Sequence, residues 1–498
     1  MAHRRTPRIY APRRVPQSFS PAYTAMRLIP LVPALLASGA LGLVSELPAL
    51  SEEMRQKARH ASQSMGDDSS ERSQRLFFDE PGLDTLFVRF LAGSAQAVSH
   101  VAKTVMRARI ALEPDSPMGK RAAQALPLVP KRAYDTLMTG MLSIGTAVGY
   151  IHSGPVHAQV IADSAEASSI DPPAGHATAA LRRWEAPQSL GDLCADIDDM
   201  YWSMTDGNTV KITRVGEGEA RRWLVSLPGT AHMDFESNAN PADMESNIRE
   251  MIGIESNMRS GLVMAIHDAM KRDGLNPQEY ATEPVLICGH SQGGLIATVL
   301  ASMNPKTAGL DVQVILATGA PARRYRIRPD VTMVSLAHDQ DVIPSMDGTP
   351  ARQADHRVTI GRKLVRPRRQ PLYYAHSSAT YTETARQLER MVKVNPWGRT
   401  ASAVAALQDF LPQDDEVTRV MFYEIWQDVT TPTSFETFDP VVTLAKDDSV
   451  TPVEFDVSWP PSSSRATVSV ASSDSDEGAL LTSTVNDFPS LERTPNDE

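Results

Sequence analysis

Cysteine is scarce in this sequence. The 498 residues include two, Cys194 and Cys288, so no disulfide framework is implied and cysteine usage leaves the compartment open. Cys288 falls on an apolar predicted strand, where we expect a buried free thiol. The histidines and cysteines also lack the paired spacings typical of zinc sites, and GEGEA at 216–220 indicates a turn rather than a phosphate loop. We therefore predict neither a metal nor a cofactor.

A long membrane-spanning run and a basic charge balance are also missing. The apolar stretch at 28–44 is shorter than the roughly 20 residues that a spanning helix needs, and Pro30 and Pro33 interrupt it. It follows a basic segment with six arginines, so a targeting or membrane-associated segment and a packed helix both stay open. The net charge of -11 argues against a dedicated nucleic-acid binder.

Composition changes along the chain divide it into regions. Residues 83–112 repeat apolar positions at three and four residues, which predicts a helix, and the apolar patch at 138–151 predicts another. The segment that follows, up to residue 187, is rich in Ala, Ser, Pro and His. Residues 446–498 contain eleven acidic and three basic residues. The predicted organisation is a basic disordered N-terminus (1–27), a helical N-terminal region (28–151), a linker (152–187), an α/β domain (188–438) and an acidic, largely disordered tail (439–498).

Short apolar strands alternate with helical patterns after the linker. This alternation predicts an α/β fold, with a mostly parallel sheet and helices on both faces. Helices are expected near 189–202, over 255–272 and over 379–392. Strands are expected at 209–215, 222–227, 284–288, 312–317, 331–337 and 357–360.

One stretch, Glu283–Met303, carries the strongest functional signal. An apolar run leads into Gly289-His290-Ser291-Gln292-Gly293, and a helical pattern follows. Strand, sharp turn and helix with a serine at the tip is the pattern of a nucleophile elbow, in which small residues let strand and helix approach closely. The alternative is an ordinary strand-to-helix turn. We predict that Ser291 is a nucleophile.

A serine hydroxyl needs an imidazole to take its proton and a carboxylate to orient that imidazole. Behind the strand at 331–337, His338-Asp339-Gln340-Asp341 offers the carboxylate; Asp341 is the first choice and Asp339 the second. His376, on a loop before the last predicted helix, is the preferred base. His356 precedes an apparent strand and would lie at its wrong end.

The oxyanion of an acyl-transfer intermediate needs hydrogen-bond donors. The backbone N–H of Gln292 should supply one. The loop Pro228-Gly229-Thr230 should supply the other, with Gly229 allowing a close bend and Thr230 offering its N–H and hydroxyl. A simple turn is the alternative for this loop. His290 is expected to pack or hydrogen-bond beside the serine rather than to act as base.

The segment from about Ser189 to Val392 resembles α/β-hydrolase serine esterases, and within them lipase class-3-like and actinobacterial hydrolases. The resemblance is carried by Gly229-Thr230, by the elbow from Gly289 to Gly294, by Asp341-Val342-Ile343-Pro344, and by His376 followed by Tyr381. Asn240-Pro241 with Asp243, followed by Ser246-Asn247, resembles the segment after the oxyanion loop in such actinobacterial proteins. The resemblance implies the α/β-hydrolase fold and esterase or lipase activity without a cofactor. It does not cover the N-terminal region or the tail.

These observations predict a serine hydrolase that cleaves carboxylic esters, which include lipid-like acyl esters, through an acyl-enzyme. An acyltransferase that uses the same residues, with a sugar or lipid hydroxyl as acceptor, and an inactive scaffold of the same fold are the alternatives. The expected partners are a small-molecule or lipid ester and a membrane contacted through the N-terminal apolar segments, with no nucleic acid. Cytoplasmic and envelope-associated locations both stay open.

Overall fold

The computed structural model describes most of the chain between residues 74 and 430. The predicted apolar segment at 28–44, the tail at 439–498 and nearly all of the basic segment at 1–27 lie outside the described residues. The described residues are 9–10, 56–57, 74–116, 119–120, 123, 126, 130–147, 149–166, 185–203, 205–233, 236–349 and 354–430.

A nine-stranded mixed sheet is the centre of the described structure. The strands are β1 (Ile9–Tyr10), β2 (Ser153–Asp163), β3 (Asn208–Val215), β4 (Arg222–Leu227), β5 (Pro284–His290), β6 (Asp311–Thr318), β7 (Thr332–His338), β8 (Arg357–Arg362) and β9 (Thr418–Val429). Their order across the sheet is β1-β8-β7-β6-β5-β4-β3-β9-β2. The strands β4 to β8 are parallel, and the outer pairings are antiparallel. The α/β character and the parallel centre predicted from the sequence are confirmed.

Helices cover both faces of this sheet. They are α1 (Leu83–Leu112), α2 (Ala133–Ala147), α3 (Leu190–Met200), α4 (Met244–Met251), α5 (Asn257–Arg272), α6 (Gln292–Ser302), α7 (Pro305–Ala308), α8 (Pro371–His376), α9 (Ser378–Val394) and α10 (Arg399–Gln408). Helices α1, α2, α4, α5 and α6 pack on one face, and α3, α9 and α10 pack on the other.

Strand β5 shows why the central strands are apolar throughout. Val285 and Ile287 belong to the core on one face, whereas Leu286 and Cys288 belong to the core on the opposite face. Successive side chains of a strand point to opposite faces, so a strand with two covered faces needs an apolar residue at every position. Both cysteines are buried and free.

The N-terminal helices belong to the same core as the sheet. Met138 and Leu142 of α2 are buried in the cluster that contains Val285. Asp135 of the same helix forms a buried ion pair with Arg324, with 2.7 Å between carboxylate and guanidinium. The helices predicted in this region are confirmed, and they pack on one face of the sheet. Within the described residues, no helix is long and apolar enough to span a membrane.

The linker predicted at 152–187 is wrong over its first part. Ser153–Asp163 is the edge strand β2, which pairs antiparallel with β9. Most of its side chains are partly buried or exposed, and its sequence lacks the continuous apolar run that marked the central strands. Its partner lies more than 250 residues away along the chain. A pairing over this distance has no local sequence signal, and β9 itself was not predicted.

Candidate functional site

Ser291 lies at the turn between β5 and α6 in a backbone conformation that is rare for a side-chain-bearing residue. Its φ of 53° and ψ of -119° are typical of a sharp strand-to-helix elbow. Its N–H donates to the carbonyl of Thr318 at the end of β6, at 2.8 Å. Such a conformation costs about 1–3 kcal/mol and persists where the surroundings enforce it, as at many functional sites.

Two glycines allow the elbow to form. A Cβ added at Gly293 would lie 2.4 Å from the carbonyl oxygen of Leu227, which ends β4. A Cβ added at Gly289 would lie 2.4 Å from the carbonyl carbon of Gly293. Both contacts are to backbone, which cannot move aside as a flexible side chain would. The strand, the helix and the loop after β4 therefore meet only because these positions lack a side chain.

The structure brings Ser291, His376 and Asp341 together. The Nε2 of His376 lies 3.0 Å from the Oγ of Ser291, and its Nδ1 lies 2.8 Å from Oδ2 of Asp341. Because the carboxylate accepts, Nδ1 carries the proton and Nε2 has a free lone pair facing the serine hydroxyl. This is the tautomer that a general base needs.

The Asp341 side chain is fully buried and accepts further hydrogen bonds. The hydroxyl of Tyr381 donates to Oδ2 at 2.7 Å, and the backbone N–H of Ile343 donates to Oδ1 at 3.0 Å. Burial, together with the neighbouring carboxylate, raises the pKa of Tyr381 well above its ordinary value, so its hydroxyl stays protonated and donates. These donors fix the carboxylate against His376.

The other acid and base candidates lie elsewhere. The carboxylate that accepts from His376 is that of Asp341. Asp339 donates its backbone N–H to the carbonyl of Arg362 at 3.0 Å. His356 directly precedes β8, and its carbonyl accepts from the N–H of Met333 near the start of β7. Asp341 follows the carboxyl end of β7, so His356 lies at the opposite edge of the sheet.

The loop after β4 lies directly against the serine. A Cβ added at Gly229 would be 2.6 Å from the Cβ of Ser291, so this position must be glycine for the loop to come this close. The N–H of Gly229 donates to the hydroxyl of Tyr201 at 2.6 Å. It is therefore engaged, and the next N–H along the loop, that of Thr230, is the one available for an oxyanion.

Helix α4 supports both predicted oxyanion donors. The side-chain amide of Asn247 donates to the Thr230 hydroxyl at 2.8 Å, and that of Gln292 donates to the carbonyl of Asp243 at 2.8 Å. Asp243 also caps α4 by accepting from Ser246, and burial raises the pKa of its carboxyl to about 7. The first N–H groups of a helix lack intrahelical partners and carry the positive end of its dipole. The N–H of Gln292, the first residue of α6, is therefore suited to stabilise an oxyanion.

His290 holds the site together and is not placed to act as base. Its Nε2 lies 2.8 Å from the carbonyl of His376, so Nε2 must carry the proton and donate. Its Nδ1 then accepts from the Tyr201 hydroxyl at 2.6 Å. Burial, and secondly the neighbouring His376, lowers the pKa of His290 well below its ordinary value. A neutral His290 thus connects the backbone of His376 to the hydroxyl of Tyr201, which in turn accepts from the N–H of Gly229.

Several residues of the site had no local sequence signal. Tyr201 acts through hydrogen bonds to Gly229 and His290, which lie 28 and 89 residues away along the chain. Gly319, at φ 61°, leaves room for the site, because a Cβ there would lie 2.8 Å from the Tyr381 ring and 3.0 Å from Oδ2 of Asp341. His338 stacks on the Tyr381 ring with 3.8 Å between centroids. The pattern HDQD and the tyrosine after His376 indicated this neighbourhood but not these contacts.

Among the described residues, no group of three or more His, Cys, Asp and Glu side chains is placed to hold a metal ion. No family model, curated protein or solved structure matches this chain.

Proposed function

We propose that this protein is a serine hydrolase of the α/β-hydrolase type, which cleaves carboxylic esters through an acyl-enzyme. One observation carries the proposal: Asp341, His376 and Ser291 form a continuous hydrogen-bonded line, and the serine sits at a turn with positive φ. Ester cleavage by a serine needs an oriented base and a nucleophile held within its reach, and this line provides both.

The order of the elements supports the fold assignment within this proposal. The nucleophile follows β5, the acid follows β7 and the base comes last in the chain, on α8. This is the chain order of α/β-hydrolases, in which the three groups meet at the carboxyl edge of the parallel strands. The antiparallel strands β2, β3 and β9 lie together at one side of the sheet and leave that edge intact.

In the acylation step, the Ser291 oxygen attacks the ester carbonyl carbon while its proton passes to Nε2 of His376. The carbonyl π electrons move to the oxygen, and the N–H groups of Thr230 and Gln292 hold the resulting oxyanion. When the intermediate collapses, the bond to the alkoxy oxygen breaks and His376 returns its proton to that oxygen. An alcohol leaves, and the acyl group stays on Ser291.

Deacylation repeats these steps with water as nucleophile. His376 removes a proton from the water as the water oxygen adds to the acyl carbon. When this intermediate collapses, the bond from the acyl carbon to the Ser291 oxygen breaks, His376 returns the proton to that oxygen, and the acid is released. Asp341 keeps the Nδ1 proton in place and stabilises the imidazolium formed in each half-reaction. Product analysis with an added alcohol would measure how much of the acyl group goes to a hydroxyl instead of water.

Hydrolysis of p-nitrophenyl esters tests this proposal. We expect the wild type to hydrolyse at least one ester of the series, and Ser291→Ala and His376→Ala each to lower kcat by at least about 10³-fold. The control is Ser302→Ala, at the last residue of the elbow helix and outside the site. Equal rates in the wild type and in Ser291→Ala would refute the proposed nucleophile, and so would a wild type inactive on every ester.

A further inference from the structure

A cavity of about 610 Å³ lies between the N-terminal helical region and the loops that carry the acid and the base. One wall is formed by Phe77, from the helical segment at 74–79, and by Phe87 and Val88 of α1. Val342 and Leu372 of α8 also line the cavity. Its volume is within the range of about 300–1,000 Å³ that is typical of small-molecule sites.

The cavity is next to the reacting groups. Val342 directly follows Asp341, and α8, which contributes Leu372, ends at His376. Asp84 also lines the cavity, and it lies close enough to Asp341 for that carboxylate to add to the rise in the pKa of Asp84, which burial dominates. The lining residues Val342 and Tyr373 therefore lie one and three residues along the chain from Asp341 and His376.

Most of the cavity surface is apolar. The charged residue that lines it, Asp84, already has hydrogen-bond partners. Asp84 is buried, and its Oδ1 accepts from the N–H of Thr85 at 2.8 Å. The Ser345 side chain gives a further hydrogen bond that lowers the pKa of the same carboxyl. The rings of Phe77 and Phe87 lie 6.0 Å apart at 56°, in a tilted pair that forms a continuous hydrocarbon surface.

We propose that this cavity binds a hydrocarbon chain attached to the scissile ester, so that the N-terminal helices determine the substrate class of the site. The inference depends on the proposed function, and it specifies the substrate as an ester with a medium or long alkyl chain. The chain could belong to the acyl group or to the alcohol. The cavity would contact the same hydrocarbon chain in both cases. Two series of esters, one varied in the acyl group and one in the alcohol, distinguish the two cases.

The first test measures chain-length selectivity. One series varies the acyl group of p-nitrophenyl esters from acetate to dodecanoate, and the other varies the alcohol of acetate esters from methyl to dodecyl. We expect Phe87→Trp, which fills the cavity, to lower the ratio of kcat/KM for long chains to kcat/KM for short chains at least about tenfold, in the series whose chain enters it. Phe87→Ala should change the same ratio by removing one wall.

Val98→Trp is the matched control, because Val98 lies on the same helix and is 70% exposed. It should leave the ratio unchanged in both series. A ratio that is unchanged in both series for Phe87→Trp and Phe87→Ala, in variants with a wild-type melting temperature, would overturn the cavity proposal while the Ser291 chemistry stands.

A second test needs no catalysis. Dodecyl methyl ketone has the chain but cannot be hydrolysed, and it should raise the melting temperature of the wild type and of Ser291→Ala by mass action. We expect at least about tenfold weaker binding to Phe87→Trp and unchanged binding to Val98→Trp. Equal binding to all four proteins would refute the cavity even if the wild type hydrolyses esters. If Ser291→Ala loses hydrolysis but still binds the ketone, the cavity binds the chain independently of catalysis. The cavity proposal and the proposed function can then fail separately.

Discussion

At the residue scale, Tyr381 holds the carboxylate of the proposed acid in place. Its hydroxyl donates to the buried Asp341 carboxylate, and it also accepts from the N–H of His338 at 3.2 Å. It thus ties the acid to the end of β7. The predicted acid works only while it is held in one orientation, and Tyr381 supplies much of that constraint.

Replacing Tyr381 by phenylalanine should therefore weaken both stability and activity. A hydrogen bond to a charged group contributes about 1.5–3 kcal/mol, so we expect a loss of that size in the free energy of unfolding and a fall of roughly tenfold in kcat/KM. Urea unfolding and ester kinetics measure the two effects. Tyr150→Phe, at a partly exposed tyrosine, is the control. An unchanged kcat/KM in Tyr381→Phe would show that the bond does not position the acid.

Asp243 gives a prediction about pH. Burial raises the pKa of its carboxyl to about 7, against about 4 in an unfolded chain. Between these values the folded state holds a proton that the unfolded state has lost. The stability that Asp243 contributes is therefore fully present below pH of about 4 and is lost as pH rises through about 7.

Asp243→Asn removes this titration. The unfolding free energy of the variant minus that of the wild type should increase by about 2–4 kcal/mol between pH 4 and pH 8. Any constant cost of the amide, which faces the donor Gln427, cancels in this comparison. Urea unfolding at several pH values measures it. A difference that is flat with pH would show that the carboxyl titrates normally.

At the element scale, the elbow depends on the close approach of β5, α6 and the loop after β4. Gly293→Ala should disrupt it, because the new Cβ would collide with the carbonyl oxygens of Leu227 and Pro228. We expect a loss of at least about 2 kcal/mol in stability and at least about 10²-fold in activity, since a shift of about 1 Å in the loop misplaces an oxyanion donor.

Gly140→Ala is the control for this prediction. Gly140 lies inside α2, and a Cβ there would have no heavy atom within 4 Å. The substitution should be neutral or stabilising by up to about 1 kcal/mol, as for glycine in a helix interior. Thermal unfolding and ester hydrolysis compare the two variants. Equal effects at the two glycines would contradict the close approach.

Local sequence patterns predicted the bounds of the buried strands and helices well. The predicted strand at 312–317 is observed as Asp311–Thr318, and the predicted helix at 255–272 as Asn257–Arg272. Ser291 and Asp341 could be placed because each follows an apolar strand. His376 could be placed because it lies downstream of both and directly before the helix Ser378–Val394. Gly229 and Thr230 were found because they follow the strand Arg222–Leu227.

At the scale of the whole molecule, the sequence could not show which distant segments meet. Strand β9 and the edge strand β2 pair with each other across more than 250 residues of the chain, a contact that no local pattern predicts. Asp135 of α2 and Arg324 also meet only in the folded state. For the same reason the sequence did not indicate Tyr201. This residue follows the helix Leu190–Met200, and its hydroxyl contacts both His290 and Gly229.

The ion pair between Asp135 and Arg324 tests whether the N-terminal helices fold with the sheet. Both side chains are buried, so Asp135→Ala leaves the guanidinium without its carboxylate and should cost about 3–5 kcal/mol in a single cooperative transition. Glu113→Gln is the control, because its pair with Arg109 is exposed and should contribute less than about 1 kcal/mol. Two separate unfolding transitions would show that the helices form their own domain.

The central claim is that the Ser291 hydroxyl is activated by His376. Intact-protein and peptide mass spectrometry after incubation with a fluorophosphonate measures it most directly, because this reagent phosphonylates activated serines. We expect one adduct per chain, on the peptide that contains Ser291, with none on Ser291→Ala and labelling at least about 10³-fold slower on His376→Ala. An adduct that persists on Ser291→Ala, or an unlabelled wild type, would contradict the claim.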